Sequence, residues 1–243
     1  MNATAVAAAA TGRQLHKFGG SSLADVKCYL RVANIMANYS HPGDLMVVSA
    51  AGSTTNQLIS WLKLSQNDRL SAHQVQQSLR RYQHDLINGL LPPEMAEPLI
   101  SEFIHDLERL AGLLDNKIDD VIYAEVVGHG EIWSARLMSA LLNKLDMDAV
   151  WLDARRFLRA ERAAQPQIDE SRSYPLLQQL MAQHPHQRLV VTGFISRNEA
   201  GETVLLGRNG SDYSATQVGA LAGPSVSPSG VMLPGCTVPI HVK

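Results

Sequence analysis

The sequence is poor in the features that mark secreted, metal-binding and membrane proteins. Its 243 residues include two cysteines, Cys28 and Cys236, far apart and without metal-ligand spacing. This argues against a disulfide framework or a zinc site and fits a reducing compartment. No run approaches the roughly 18 apolar residues that span a bilayer, and residues 1–12 lack the basic start and long apolar run of an export signal. We therefore expect a cytoplasmic protein.

A strong charge of either sign is also missing. The formal net charge is -2 and no block of like charge occurs, so the surface offers no basic field for nucleic acid or anionic lipid. We expect neither as a partner. With 45% hydrophobic residues, the chain has the composition of a globular protein with one large or two small domains.

Short apolar runs alternate with longer amphipathic stretches, which is typical of an α/β protein with a parallel sheet. The ligands of such a sheet lie at the carboxyl ends of its strands. Val and Leu dominate several of the runs, as expected for strands buried on both faces. The strand candidates are residues 14–18, 45–49, 150–152 and 189–195, the last leading into a hairpin turn at 197–201.

Helices are expected between these strands. Ser22 and Asp25 have capping-box spacing at the start of the first, whose apolar stripe would be Leu23, Val26, Leu30, Ala33 and Met36. The block 71–114 reads as helical and contains no candidate for chemistry; its His73, His84 and His105 are expected to be surface or packing residues. The helical stretches are residues 58–64, 71–114 with a break at Pro92-Pro93, 121–145, and 211–221 with Ser211 as N-cap.

Two glycine turns stand near opposite ends of the chain. One is the string KFGGSS at 17–22, and the other is LGRNGSD at 206–212. Glycines let a backbone approach a ligand, and the first N–H groups of a helix are unpaired, so each turn suits an anion. For the first turn alone, a strand-to-helix turn whose two glycines only relieve strain, beside a solvated lysine, is an equally good interpretation. Together, with Lys17 and Arg208, they favour a site for a polyphosphate and an anionic acceptor.

The known signatures of other phosphoryl-transfer enzymes are absent. No Gly-Lys pair occurs, which excludes a Walker loop, and the His-Arg-Asp and Asp-Phe-Gly motifs of protein kinases are missing. Any phosphoryl transfer therefore belongs to another fold.

Gly128-His129-Gly130 interrupts the long helical stretch 121–145, directly before Glu131. Two glycines inside a helix cost about 2 kcal/mol in propensity, so something other than local preference must hold this break there. A carboxylate just past such a break is a candidate for holding a cationic group of a substrate. The alternative is an ordinary exposed glutamate near a kink.

Five strings in this order, KFGGSS, VSAAGSTTN, GHGE, TGFI and LGRNGSDYSA, resemble the aspartate kinases of the amino-acid-kinase fold over about residues 14–223. The intervening helices look most like the kinase part of bifunctional aspartokinase–homoserine dehydrogenases of the type called II. The resemblance implies a three-layer α/β/α sandwich around a mainly parallel sheet. It also implies transfer of the γ-phosphoryl of ATP to the side-chain carboxylate of L-aspartate, the first step of lysine, threonine and methionine biosynthesis. Magnesium would be bound through ATP, and the full-length enzyme would be a homo-oligomer.

The resemblance also implies roles at the phosphate end of the site. Lys17 would neutralise charge on the transferring phosphoryl, and Asp212 would orient the lysine and phosphates. These two are the implied catalytic residues, and no protein-held metal is implied. The phosphates would be cradled by Gly19, Gly20, Ser21 and Gly210.

At the acceptor end, Glu131 would pair with the ammonium group of aspartate. Arg208 would bind its carboxylate, a role that suits the bidentate fork of arginine. The rest of the aspartate pocket would be Ser49, Thr55, Phe194 and Ser211.

The sequence departs from the family after Gly223. The family continues with Asp-Val-x-Gly-Val-Tyr-x-x-Asp-Pro-Arg on the adenine side, whereas this chain reads PSVSPSGVMLPGCTVPIHVK. Codons read one base out of step permit VSVTIWSDVAGVYSADPRK, which contains the missing motif. We therefore expect a disordered N-terminus at 1–13, an incomplete kinase domain at 14–223 with an exposed sheet edge, and an out-of-frame tail at 224–243. Little or no kinase activity is expected from this chain.

Two alternatives stay open. One is a kinase of the same fold with a different acceptor, such as glutamate or a carbamate; an acceptor without an amino-acid head would not need both Glu131 and Arg208. The other is a non-catalytic chain that pairs with full-length subunits.

Overall fold

A parallel sheet forms the centre of the computed structural model, which describes residues 13–223 and the backbone of 227–228. The strand order is β3-β4-β2-β1-β7, and every neighbouring pair is parallel. Two further strands form an antiparallel hairpin beside the sheet. The strands are β1 Gln14–Phe18, β2 Leu45–Val48, β3 Ala149–Leu152, β4 Arg188–Thr192, β5 Ile195–Arg197, β6 Thr203–Leu205 and β7 Ser227–Pro228.

Seven helices are described, and four of them begin at an aspartate whose carboxylate accepts a backbone N–H of the first turn: Asp25, Asp68, Asp119 and Asp169. Such caps satisfy N–H groups that have no partner within the helix. The helices are α1 Val26–Tyr39, α2 Thr54–Ser65, α3 Arg69–Leu90, α4 Pro93–Leu113, α5 Asp120–Lys144, α6 Glu170–Gln183 and α7 Gly210–Ala222, with short 3₁₀ turns at Gly20–Leu23 and Ala154–Arg156.

The side chains of β2 alternate between two cores. Met46 and Val48 join a cluster formed with α1 and α5, whereas Leu45 and Val47 join one formed with α6 and α7. All four are fully buried, as expected for a strand covered on both faces. The predicted three-layer α/β/α sandwich is confirmed, and α2, α3 and α4 form a further cluster against α5.

The predicted capping box at Ser22 is wrong. Residues Gly20–Leu23 form a 3₁₀ turn, and Asp25 itself is the N-cap of α1, its carboxylate accepting the N–H of Cys28 at 2.8 Å. The buried face of α1 also differs from the predicted apolar stripe. Leu30 is 45% exposed, while Tyr29 takes a fully buried position.

The predicted break at Gly128-His129-Gly130 is also wrong, because α5 runs through all three residues. A Cβ on Gly128 would lie 2.8 Å from Ile195 Cγ2, and one on Gly130 would lie 2.8 Å from Ala50 Cβ. The glycines therefore let the helix approach the hairpin and the turn after β2. Close packing offsets their poor helix propensity.

Three boundaries differ from the predicted ones. Helix α7 begins at Gly210 after Asn209, which has a left-handed φ of 59°, so Ser211 lies inside the helix and is not its N-cap. Helix α2 begins at Thr54, four residues before the predicted start at Leu58. The run 189–195 is two strands, since β4 ends at Thr192 and Phe194 has a φ of 65°.

The other elements are confirmed, including the break at Pro92-Pro93 and the 197–201 turn. His73, His84 and His105 are exposed, as predicted. Residues 1–12, 224–226 and 229–243 lie outside the described part, so the disordered N-terminus and the out-of-frame tail stay predictions. Within that tail, Ser227 pairs with Gln14 of β1. No helix in the part described is long and apolar enough to cross a membrane.

Candidate active site

A cavity of about 310 Å³ opens at the carboxyl ends of β1 and β2, beside the first turn of α7. This is the edge of the sheet at which the sequence places the ligand. The cavity joins residues nearly 200 positions apart in the chain. Its lining consists of Lys17, Gly19, Gly20, Ser49, Ala50, Gly52, Thr55, Glu131, Phe194, Gly207, Asn209, Gly210, Ser211 and Asp212.

All but two of the predicted site residues line this cavity. The exceptions are Ser21, which is exposed in the 3₁₀ turn, and Arg208, which is exposed between the lining residues Gly207 and Asn209. Their functional roles, like those of the lining residues, stay predictions. Ala50, Gly52, Gly207 and Asn209 were not singled out as site residues, although all four lie within the recognised strings.

The two glycine turns meet at Lys17 and Asp212. Lys17 Nζ lies 2.5 Å from Asp212 Oδ1, and the lysine side chain is 14% exposed. The pair joins the end of β1 to the first turn of α7, so the cation faces the cavity from a fixed position. This geometry suits an anion held between the two turns.

The first glycine turn and the turn after β2 are in direct backbone contact. The N–H of Gly52 donates to the carbonyl oxygen of Gly20 at 3.0 Å. A Cβ on Gly20 would lie 2.7 Å from the carbonyl oxygen of Ala50. A larger residue at position 20 would therefore push the two turns apart, and glycine is required for the close approach.

Phe194 is held in an unusual conformation at the wall of the cavity. Its φ of 65° is left-handed, which costs a bulky residue of order 1 kcal/mol or more. The hydroxyl of Ser214, fully buried in α7, accepts the N–H of Phe194 at 2.9 Å and donates to the carbonyl of Gly210 at 2.8 Å. Ser214 thus fixes the backbone of Phe194 relative to α7. The place of Ser214 in the string LGRNGSDYSA is the one sequence signal for this role.

The carboxyl group of Glu131 is buried at the wall of the cavity with one oxygen unsatisfied. The residue is 3% exposed, and its Oε2 has no hydrogen-bond partner in the described structure. Burial raises the pKa of Glu131 to about 8, although the N–H groups of Ala50 and Glu131 itself oppose the shift. A buried carboxyl without a counter-charge, at the wall of a cavity, is suited to binding a cation.

Helix α3 braces the turn that faces Glu131. Gln83 Nε2 donates to Thr54 Oγ1 at 3.2 Å, and the Thr54 hydroxyl donates to the carbonyl of Ala51 at 2.6 Å. The Tyr82 hydroxyl donates to the carbonyl of Ala24 at 2.8 Å. The helical stretch 71–114, for which no chemical role was predicted, therefore stabilises the turns of the site.

No group of three or more His, Cys, Asp or Glu side chains comes together as a metal site within the described residues. The carboxylate of this cavity that stands beside Lys17 is Asp212.

Comparison with known proteins gives consistent results. The chain is 80% identical over 218 residues to the bifunctional aspartokinase/homoserine dehydrogenase 2 of Escherichia coli K12, a match covering 90% of this chain and 27% of that protein. It is 30% identical over 204 residues to lysine-sensitive aspartokinase 3 of the same organism, covering 82% of this chain and 44% of that one. The chain thus spans about a quarter of the bifunctional relative.

A solved structure shares the fold. Aspartokinase III of E. coli, in complex with aspartate and ADP, superposes with a TM-score of 0.77 at 26% identity, covering 86% of this chain and 46% of that chain. The resemblance to aspartate kinases inferred from the five strings is confirmed. The sequence pattern of the amino acid kinase family matches residues 12–226. The chain therefore belongs to the amino acid kinase family.

Proposed function

We propose that the cavity binds L-aspartate and presents its side-chain carboxylate to the γ-phosphoryl of ATP. The observation that carries the proposal is the buried carboxyl of Glu131, whose Oε2 has no hydrogen-bond partner among the described residues, in the same cavity as the Lys17–Asp212 pair. One end of the cavity is suited to a cation and the other to an anion. An amino acid and a polyphosphate supply these charges.

At the acceptor end, the ammonium group of aspartate pairs with Glu131 and favours the ionised form of its carboxyl, which no cation of the described residues balances. Arg208 lies one residue from the lining on each side and is exposed. We propose that its side chain turns into the cavity and binds the α-carboxylate through its guanidinium fork. The rest of the pocket is Ser49, Thr55, Phe194 and Ser211.

At the phosphate end, Lys17 neutralises charge on the transferring phosphoryl and Asp212 holds the lysine in place. The backbone at Gly19, Gly20 and Gly210 cradles the phosphates, and Ser21 lies at the outer side of the same turn. Magnesium, when bound through ATP, neutralises charge between the phosphates. That aspartokinase III was solved with aspartate and ADP supports both ligand classes.

The reaction needs no protein base. A free aspartate side chain has a pKa of about 3.9, so the attacking carboxylate is already ionised at neutral pH. Phosphoryl transfer asks mainly for positioning and for charge stabilisation. The residues of the cavity supply these two.

The proposal is tested by titrating the chain with L-aspartate while recording its amide NMR spectrum. We expect saturable shifts at Ala50, Thr55 and Ser211, with L-glutamate a weak competitor because its side chain is one methylene longer. Equal competition by L-glutamate would favour the alternative acceptor, and the absence of shifts at these amides would refute the proposal.

Turnover is a separate measurement. The adenine-side motif of the family is not present in this sequence, so we expect little aspartyl phosphate when product is trapped with hydroxylamine in the presence of ATP and magnesium. Robust, aspartate-dependent product would overturn that expectation.

The same proposal extends to the biological setting. We propose a cytoplasmic role in lysine, threonine and methionine biosynthesis, with the full-length enzyme a homo-oligomer. Sedimentation of the full-length enzyme tests the last point, and a monomer at micromolar concentration would contradict it.

A further inference from the structure

A second cavity, of about 510 Å³, lies away from the candidate active site and shares no lining residue with it. Its size is in the range of small-molecule sites. It lies between α4, α5, the Ala154–Arg156 turn and the β5–β6 hairpin. The lining consists of Arg109, Leu113, Val121, Ile122, Glu125, Asp153, Arg155, Arg156, Arg197, Gly201, Glu202 and Thr203.

Two of the four arginines in this lining are neutralised by carboxylates of the same wall. Arg155 binds Asp153 at 2.6 Å and Glu125 at 3.0 Å, and Arg109 binds the other oxygen of Glu125 at 2.9 Å. These pairs use the charge of both carboxylates.

The other two arginines, Arg156 and Arg197, form no ion pair within the described residues. The remaining carboxylate of the wall, Glu202, is bound by Arg162 from outside the lining at 3.1 Å. Arg197 donates through its Nε to the carbonyl of Gly201 at 3.0 Å, which leaves its two terminal nitrogens available. The cavity therefore carries two uncompensated cations.

The surroundings of this cavity increase the positive potential. Within the described part of the chain, the guanidinium of Arg159 donates only to backbone carbonyls, among them Arg155 O at 2.8 Å. Burial, with the charges of Arg197 and Arg172, lowers the pKa of Arg159. An anion here would relieve repulsion among these cations.

The floor of the cavity is fixed before any ligand binds. Thr203 Oγ1 donates to Glu125 at 2.5 Å, and Arg155 donates to the same threonine oxygen at 3.0 Å. Arg109 donates to Nε2 of His129 at 2.7 Å, so that ring nitrogen is the acceptor and Nδ1–H donates to the Glu125 carbonyl at 2.6 Å. Such a network reduces the cost of ordering side chains on binding.

Part of the lining is aliphatic, formed by Leu113, Val121 and Ile122. We propose that this cavity is a second anion site, which takes a small phosphate monoester. The phosphate binds Arg156 and Arg197, and the organic part packs on the aliphatic part of the lining. The inference concerns binding alone and does not depend on the proposed kinase activity.

The test is a methyl NMR titration of the full chain with phenyl phosphate. The methyl signals of Ile122 and Thr203 report on this cavity, and those of Ala50 and Thr55 report on the candidate active site, where phosphate is also expected. We expect saturable shifts at Ile122 and Thr203, and weaker binding of inorganic phosphate there because it lacks an apolar part.

The variant R156A/R197A should weaken binding at Ile122 and Thr203 at least tenfold while leaving the shifts at Ala50 and Thr55 unchanged. R80A/R81A removes two exposed arginines of α3 and is the matched control. R156K/R197K, which keeps the charge, should retain part of the affinity and guards against a folding defect. Shifts at Ala50 and Thr55 only, or equal affinity in R156A/R197A and R80A/R81A, would overturn the proposal.

Discussion

Replacing Glu131 by glutamine should make the protein more stable relative to the parent chain as the pH rises. The pKa of Glu131 is raised from 4.5 to about 8 in the folded protein, because the carboxyl is buried. Between these values the unfolded chain is ionised at this residue and the folded chain is protonated. The stability of the parent therefore falls as the pH rises through this window.

The size of the effect follows from the two pKa values. Each tenfold change in the ionisation equilibrium is worth about 1.4 kcal/mol, so ionising Glu131 costs the folded protein about 5 kcal/mol relative to the unfolded chain. Glutamine has nearly the same shape, can accept the Ala50 N–H, and does not ionise. The difference in unfolding free energy between Glu131→Gln and the parent should grow by about 3 kcal/mol between pH 5 and pH 8.

The assay is urea denaturation followed by circular dichroism at a series of pH values. Its second arm adds L-aspartate, because pairing with the ammonium group favours the ionised carboxylate. At pH 7 binding should release close to one proton, read from the dependence of the calorimetric heat on the ionisation enthalpy of the buffer. Parallel stability profiles for Glu131→Gln and the parent would refute the reasoning.

Three further predictions concern the same elements. Burial raises the pKa of Glu125, but His129, Thr203 and two arginines outweigh it and lower the pKa. Glu125→Gln should therefore lower the free energy of unfolding at pH 7. This loss of stability should shrink as the pH falls through the carboxyl range in the same urea series. Gly130→Ala should destabilise the protein by about 1–3 kcal/mol, because the new Cβ would lie 2.8 Å from Ala50 Cβ. Gly112→Ala in α4 has open space around it and should stabilise the protein by up to about 1 kcal/mol. Equal shifts of the melting temperature in the two variants would contradict this prediction. Lys17→Ala should weaken binding of inorganic triphosphate about tenfold, or about 1.4 kcal/mol, without changing aspartate affinity, and calorimetry with both ligands checks it.

Local patterns predicted much of the fold and most of the site. The apolar runs of β2 and β4 are short and almost wholly buried, so composition alone marks them as strands of a parallel sheet. The strings around Lys17 and Ser211 carry both the glycine turns and the family resemblance. Site residues that lie in a turn directly after a strand can therefore be identified from the sequence.

Features that depend on distant packing could not be predicted in this way. The glycines of α5 look like a helix break because the sequence does not show Ala50 and Ile195 against them. Glu131 could be exposed or buried on sequence grounds, and the structure shows it buried. The network around Glu125 joins residues 30 and 78 positions apart, and no local spacing indicates it.

The N-cap of α1 could not be predicted for a different reason. Ser22 and Asp25 both have N-cap chemistry, and the sequence pattern fits either residue. The extended backbone at Asp25, with a φ of -155°, decides between them. Such a choice depends on where the preceding 3₁₀ turn ends.

The central claim is that Glu131 holds the ammonium group of L-aspartate. It is tested most directly by calorimetric titration with L-aspartate and with succinate, which has the same two carboxylates and no ammonium group, in the parent chain and in Glu131→Gln. We predict that the parent binds L-aspartate at least tenfold more tightly than succinate and that Glu131→Gln loses this preference while still unfolding cooperatively. Equal binding of the two ligands by the parent, or an undiminished preference in the variant, would contradict the claim.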